Sequence, residues 1–285
     1  MKRVGIVAKP DRLEAREVVP ELARWLQAHG KQALLEKETA ALVPTATSAV
    51  AKSDLPGQVD VLVVLGGDGT LLSVARLVGD LGVPILGVNL GGLGFLTATT
   101  LDELYPALEA LFAGRMRTEE RIMLAARVLR QGAWSPEYVA LNDVVITKSA
   151  MSRIIDLAVA VEGQAATDYR ADGLIISTPT GSTAYGLSAG GPIVYPSMDA
   201  VALTPICSHT LTNRPIVLPA NLRIEVTLLT ENQEVMLTLD GQVGYALAAR
   251  DTVEIRRAAS RIRLVRFPEK HFFSVLRTKL KWGER

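Results

Sequence analysis

Along the first 117 residues, short apolar runs alternate with stretches whose apolar positions recur at helical spacing. Val4 to Ala8 predicts a strand. Leu13 to His29 carries Val18, Leu22, Trp25 and Leu26 on one helical face, and Gly30 stands where a C-cap glycine belongs. Ala33 to Glu36 predicts a second strand. Val59 to Leu65 is Val-rich and broken only by Asp60, as expected of a central strand buried on both faces. A helix over Leu71 to Val78, a strand over Ile85 to Asn89 and a helix over Leu101 to Phe112 follow. Strict alternation of strand and helix predicts a doubly wound parallel sheet, a Rossmann-like α/β domain.

After Arg117 the pattern changes. Leu124 to Leu129, Tyr138 to Ile146, Ile154 to Val161, Leu174 to Ser177, Ile224 to Leu229, Val235 to Leu239, Thr252 to Arg257 and Ile262 to Arg266 read as strands separated by turn residues. Little helical periodicity lies between them, which predicts an all-β domain of two packed sheets, a β-sandwich. The expected organisation is an α/β domain over 1–117, a β-sandwich over 118–266, and a segment over 267–285 that packs back on the first domain. Length agrees: 285 residues at roughly 150 per domain make about two domains.

Composition narrows the function. Lys and Arg number 31 against 30 Asp and Glu, a net charge of +1, which argues against a protein built to coat nucleic acid. Aromatics are 5%, too few for base-stacking recognition of single strands. The single cysteine, Cys207, cannot form an internal disulfide and fits a reducing compartment. The apolar start, Val4 to Ala8, is too short for a signal-peptide core. Leu81 to Thr100 and Gly173 to Met198 are long and lack any charge, but their Gly, Pro, Ser and Thr content rules out lipid-facing helices. A cytoplasmic protein without membrane contact is expected.

Three clusters carry candidate chemistry. Gly66-Gly67-Asp68-Gly69-Thr70 lies between a buried strand and a helix start, where open α/β sheets bind ligands. Glycines there let backbone N–H groups approach phosphate oxygens, and the helix N-terminus favours negative charge. Neither the Walker A nor the dinucleotide-fingerprint spacing is met, here or at Gly91-Gly92-Leu93-Gly94. A carboxylate at Asp68 is repulsive in a phosphate cradle unless it accepts a proton from an attacking hydroxyl, holds Mg²⁺ against phosphates, or caps the helix that starts near Thr70. Asn142-Asp143, ahead of a β-branched run, sets an amide beside a carboxylate, suited to ribose hydroxyls or to an ordinary turn. The longest cluster runs from Asp168 to Ser188. In it a short apolar strand meets Ser177, Thr178, Thr180, Gly181, Ser182 and Thr183, small donors and acceptors that read a polar ligand, with Tyr185 as the nearby aromatic face.

In that order and spacing the glycine cluster, the Asn-Asp pair and the Asp172 to Ser188 run resemble the NAD kinase family of bacterial type. The resemblance extends through Gly190-Gly191-Pro192 and Asp240-Gly241-Gln242. The glycine cluster is shared with lipid kinases and phosphofructokinases; the run Asp-Gly-Leu-Ile-Ile-Ser-Thr-Pro-Thr-Gly-Ser-Thr-Ala-Tyr from Asp172 is the specific part. The resemblance implies transfer of the γ-phosphoryl group of ATP, or of polyphosphate, to the 2′-hydroxyl of the adenosine ribose of NAD. It implies a divalent metal (Mg or Mn), Asp68 as catalytic proton acceptor, and a homodimer or homotetramer. It further implies NAD contacts at Asp68, Gly69, Asn142, Asp143, Arg153, Arg170, Asp172, Thr180, Thr183, Ala184, Tyr185, Gly186, Leu187, Ser188 and Gln242. Many family members have Glu where this chain has Asp143, a shorter arm. The phosphate loop is Gly66, Gly67, Gly69 and Thr70. A lipid kinase would need a hydrophobic acceptor groove or basic membrane face, and a non-catalytic NAD sensor would not need Asp68.

Other features predict little. His29, His209 and His271 are scattered, and Cys207-x-His209 lacks the further ligands zinc needs. Arg256, Arg257, Arg261, Arg263 and Arg266 read as a strand with one solvated face.

Overall fold

The computed structural model describes residues 1–43, 49–210, 212–267 and 270–282. Pro268 and Glu269, the start of the expected C-terminal segment, lie outside the described residues. The chain divides into two compact units, one formed by Met1–Glu120 and Arg261–Arg285 and the other by Arg121–Ser260.

In the first unit the elements are β1 (Arg3–Ala8), α1 (Leu13–Ala28), β2 (Gln32–Glu36), α2 (Lys37–Ala40), β3 (Ala49–Val50), β4 (Val61–Leu65), α3 (Asp68–Val78), β5 (Ile85–Val88) and α4 (Leu104–Phe112). The strands pair in parallel in the order β5-β4-β1-β2-β3. β1 starts in the middle, the next two strands build outward on one side, and β4 and β5 build on the other. That is the doubly wound sheet the alternation predicted. The apolar stripe of α1 (Ala15, Val18, Val19, Leu22, Leu26) joins Leu104 and Leu108 of α4 over Val4, Ile6, Val61, Val63 and Leu65 in one buried cluster. Gly30 does end α1: at φ 67° it places its own N–H on Gln27 O and that of Lys31 on Leu26 O, closing the last turn. The helix after the glycine cluster starts at Asp68, three residues before the expected Leu71, because its polar first turn carries no apolar period.

The second unit is antiparallel. Its elements are β6 (Arg117–Arg130), β7 (Ala133–Trp134), β8 (Tyr138–Ala140), β9 (Asp143–Lys148), β10 (Ile155–Val161), β11 (Gln164–Ala171), β12 (Gly173–Ser177), α5 (Tyr185–Ser188), β13 (Ala200–Ile206), β14 (Ile216–Pro219), β15 (Ile224–Leu228), β16 (Val235–Leu239), β17 (Val243–Leu247) and β18 (Thr252–Arg266). The start of β6, up to Glu120, and the end of β18, from Arg261 to Arg266, belong to the first unit. One sheet runs β14-β13-β12-β9-β16-β17, and the facing strands run β11-β10-β15-β18. Val144, Ile146, Leu174, Ile176 and Leu237 from the first set meet Leu157, Val159, Val226, Leu228 and Ile255 from the second in a single core. This is the expected β-sandwich.

Several boundaries differ from the pattern read along the chain. Tyr138 to Ile146 is two strands, β8 and β9, parted at Leu141–Asn142. Thr252 to Arg257 and Ile262 to Arg266 are one strand, because Ala258-Ala259-Ser260 between them holds no turn former. The strands β3, β7, β11, β13, β14 and β17 come in addition to those the pattern predicts; β11 is mostly exposed and polar, so no apolar run marks it. The basic strand keeps one solvated face only in part: Arg263 is exposed, but Arg266 is buried. After β18 the final helix is α6 (Phe272–Leu280). Among the described residues no helix is long and apolar enough to cross a membrane.

Candidate functional site

In the first unit the site forms where β4 and β5 end. Gly66 follows β4 and donates its N–H to Val88 O, the last residue of β5, at 2.9 Å. A Cβ on Gly66 would lie 2.6 Å from Thr70 Oγ1, so the turn into α3 is closed against its own helix. Gly67 is the N-cap and gives no side-chain cap, leaving Asp68 as the first helical residue. Gly69, beside it, is exposed.

The carboxylate of Asp68 does not cap α3. It reaches the loop after β5, where Oδ2 accepts from Phe95 N at 2.9 Å. Its Oδ1 accepts from Leu96 N at 3.1 Å, from Thr97 N at 2.9 Å and from Thr97 Oγ1 at 2.9 Å. Oδ1 is therefore saturated while Oδ2 carries a single donor and keeps a lone pair. The same loop is braced by Asn89, whose Nδ2 donates to Thr97 Oγ1 at 2.8 Å and whose Oδ1 accepts from Gly91 N at 2.7 Å. The second glycine cluster, which fits no nucleotide fingerprint, thus serves as the partner loop of Asp68. Gly94 is its tightest point, with Asp68 Oδ1 only 2.1 Å from where a Cβ would stand.

In the second unit, Asn142 precedes β9 and Asp143 is its first residue, next to the β16–β17 turn. That turn has Asp240 (φ 51°) and Gly241 (φ 63°) in the left-handed region. It turns the Asp240 carboxylate onto the pair: Oδ2 accepts from Leu141 N at 3.0 Å, and Oδ1 from Asn142 N at 2.7 Å and Asp143 N at 3.2 Å. Asp143 itself is 4% exposed. Burial, followed by the charge of Asp240, pushes its carboxyl up to about 7.

The hydroxyl run closes over the same place. Thr178 N donates to Asn142 O at 2.9 Å and its Oγ1 donates to Leu141 O at 2.6 Å. Gly181 sits against the Asn142 backbone, whose carbonyl oxygen would be 2.0 Å from an added Cβ. Asp143 and Ser177 are directly opposed across β9 and β12. Four polar atoms here, Asn142 Oδ1, Ser177 Oγ, Thr180 Oγ1 and Thr204 Oγ1, are buried with no hydrogen-bond partner. A buried polar atom is costly when unsatisfied, so these four call for partners beyond those the described residues supply.

The structure does not gather the remaining expected contacts in one place: Thr183 to Ser188 follow the hydroxyl run, whereas Asp172 and Arg153 lie at the other end of β12 and β9, beside Thr147 and Lys148, and Arg170 lies on a strand of the facing set. Thr183 ends a short turn and Ala184 leads into α5, which holds Tyr185, Gly186, Leu187 and Ser188. Tyr185 is exposed, and Gly186 backs onto Ser177 Oγ. Asp172 pairs with Lys148 at 3.6 Å. Arg170 is exposed on β11, 3.9 Å from Asp156. Arg153 is exposed on the loop after β9, its N–H on Gln233 Oε1. Gln242 is exposed at the end of the Asp240 turn. Sequence reasoning passed over Asp240 as an anchor of Asn142-Asp143, passed over Thr97 and Asn89, and read Arg266 as part of a solvated face. Arg266 did carry a signal, since it shares strand parity with the buried Ile262 and Leu264. Among the described residues no three His, Cys, Asp or Glu side chains group as a metal site.

Comparison with known proteins agrees with this layout. The ATP-NAD kinase N-terminal domain matches residues 4–116, and the ATP-NAD kinase C-terminal domain matches residues 141–267. NAD kinases of Geotalea daltonii and Geobacter sulfurreducens are each 52% identical over 285 residues, covering 100% of both chains. Among solved structures, yeast NADH kinase complexed with NADH superposes with a TM-score of 0.92 at 27% identity, over 100% of this chain and 89% of that one. An NAD kinase from Archaeoglobus fulgidus in complex with ATP gives 0.77 at 25% identity, over 98% of each chain.

Proposed function

The chain belongs to the ATP-NAD kinase family, and from that premise we propose that it transfers the γ-phosphoryl group of ATP to the 2′-hydroxyl of the adenosine ribose of NAD, with Asp68 as proton acceptor. In this reaction the 2′-oxygen bonds to the γ-phosphorus, the bond to the bridging oxygen of ADP breaks, and the hydroxyl proton passes to Asp68. The products are NADP and ADP.

The observation that carries the Asp68 role is the asymmetry of its carboxylate. Oδ1 takes three donors and Oδ2 one, so the carboxylate is held in one orientation with Oδ2 able to receive a proton. Phosphoryl transfer depends chiefly on positioning and charge stabilisation, so a rigid base suits it. The phosphate loop is assigned to Gly66, Gly67, Gly69 and Thr70, where the N-terminus of α3 favours anionic oxygens.

NAD binding is assigned to Asp68, Gly69, Asn142, Asp143, Arg153, Arg170, Asp172, Thr180, Thr183 to Ser188 and Gln242. The unpartnered Asn142 Oδ1 and Thr180 Oγ1 support it, since ribose and amide groups would satisfy them. A divalent cation is proposed as a companion of the nucleotide phosphates rather than of a protein cage, because the described residues offer no group of three such ligands. We place the enzyme in the cytoplasm as a homodimer or homotetramer, acting on free nucleotides without nucleic acid or membrane.

The test is direct. Purified protein with NAD, ATP and Mg²⁺ should form NADP, and diacylglycerol in place of NAD should yield no phosphorylated lipid. Absence of NADP under varied donors and metals removes the assignment.

A further inference from the structure

Two successive peptide groups of the loop after β5 lie between opposite charges. In the peptide joining Phe95 to Leu96, the N–H donates to Asp68 Oδ1 at 3.1 Å and the carbonyl accepts from Arg266 Nη2 at 3.1 Å. In the next, joining Leu96 to Thr97, the N–H donates to Asp68 Oδ1 at 2.9 Å and the carbonyl accepts from Arg266 Nη1 at 2.9 Å. A peptide unit is planar with N–H and C=O on opposite edges, so a group that grips one edge sets the direction of the other. The guanidinium is a rigid planar fork, and its two arms take the two carbonyls.

Arg266 is buried beside this loop. Its side chain is 10% exposed, and its Nε lies 3.8 Å from Glu119 Oε2. Lys270 holds the carbonyl two residues further on, donating from Nζ to Ala98 O at 2.7 Å while pairing with Glu103. Glu103 in turn accepts from Thr100 N at 2.8 Å, fixing the end of the loop. Burying a guanidinium is costly unless its donors are used, and here they are used on the peptides that hold Asp68.

We propose that Arg266 is a positioning residue for phosphoryl transfer: its guanidinium fixes the Phe95–Thr97 peptides, and their N–H groups aim the Asp68 carboxylate. The proposal rests on Asp68 being the proton acceptor. Arg266 needs no contact with substrate, and its effect belongs in turnover rather than in binding. Without the fork the carbonyl edges of the two peptides lose their hold and only the N–H edges remain fixed, and a misplacement of about 1 Å at a reacting group costs up to roughly 100-fold. Lysine cannot replace it fully, because an ammonium lacks the two coplanar arms.

The experiment is a double-mutant cycle on the full chain, with kcat and KM for NAD and ATP measured by NADP formation. Arg266→Gln should lower kcat about 10- to 100-fold with both KM values within about twofold of wild type, and Arg266→Lys should recover part of the loss. In an Asp68→Asn background, Arg266→Gln should change the residual kcat by less than about twofold, because the group it aims is already disabled. Equal fold losses in the two backgrounds, or a loss confined to KM, overturn the proposal. Wild-type turnover in Asp68→Asn alone would instead remove the Asp68 role on which it rests. If Arg266→Gln does not fold by circular dichroism, Arg266→Lys goes through the same cycle under the same criteria.

Discussion

Gly94 faces Asp68 so closely that a Cβ on it would stand 2.1 Å from Asp68 Oδ1 and 2.4 Å from Thr97 Oγ1. The backbone of Gly94 is not in the left-handed region, so glycine is required here for space rather than for conformation. The carboxylate cannot swing aside cheaply, because its four hydrogen bonds would go with it.

Gly94→Ala is therefore expected to cut turnover by about 100-fold or more by displacing the carboxylate. Steady-state kinetics with NAD and ATP reads the effect, and thermal unfolding reports how much of it is loss of fold. Wild-type turnover in this variant would mean that the observed Asp68 orientation is not the working one.

At Gly181 the obstacle is backbone. A Cβ would meet the oxygen, carbon and Cα of Asn142 at 2.0, 2.4 and 2.7 Å. Gly181→Ala should destabilise the β-sandwich unit by about 2–3 kcal/mol, seen as a lowered urea midpoint. Gly57→Ala, where nothing lies within 4 Å of the added carbon, serves as the neutral control. Equal midpoints for the two variants would contradict the close packing of the hydroxyl run on Asn142.

Asp143 should make stability depend on pH with an unusual sign. Its carboxyl is raised from the ordinary value of 3.8 to about 7, chiefly by burial and further by Asp240. Between those values the folded protein holds a proton that the unfolded chain has released, so stability falls as pH rises through the window. A shift of that size corresponds to an effect on the order of 4 kcal/mol. Asp143→Asn removes the titration, and its stability relative to wild type should improve steadily as pH is raised from about 4 to about 8. Denaturant unfolding at several pH values measures this. A constant difference between the two proteins would show that Asp143 titrates alike in both states.

Asp240 holds Leu141, Asn142 and Asp143 through three backbone N–H groups, so its loss leaves those donors without their acceptor. Asp240→Ala should cost about 2–4 kcal/mol and weaken NAD binding, measured by calorimetric titration, as Asn142 loses its anchor. Asp240→Asn keeps an acceptor and suits the left-handed backbone at φ 51°, and it removes a charge that pushes Asp143 upward. It should be milder in stability and should move the Asp143 titration to lower pH. If both replacements leave NAD affinity unchanged, the anchoring role fails.

Much of this protein was legible along the chain. The periodicity of Val18, Leu22 and Leu26 marked α1, the Val-rich run marked β4, and Gly30 marked the helix end, because each depends on neighbours a few residues away. The Asp172 to Ser188 run pointed to the family for the same reason: it is contiguous. What the sequence could not convey is what a residue meets across the fold. Asp68 could equally have capped its helix, and only the folding of Phe95–Thr97 against α3 directs its carboxylate to the loop. Asp240 reaches Asn142 across 98 residues, and Arg266 reaches Leu96 across 170. Local pattern determined the elements and the chemistry each carries. Tertiary structure decided which of those charges would be buried against which peptide groups, since hydrogen-bond partners distant in sequence leave no period to read.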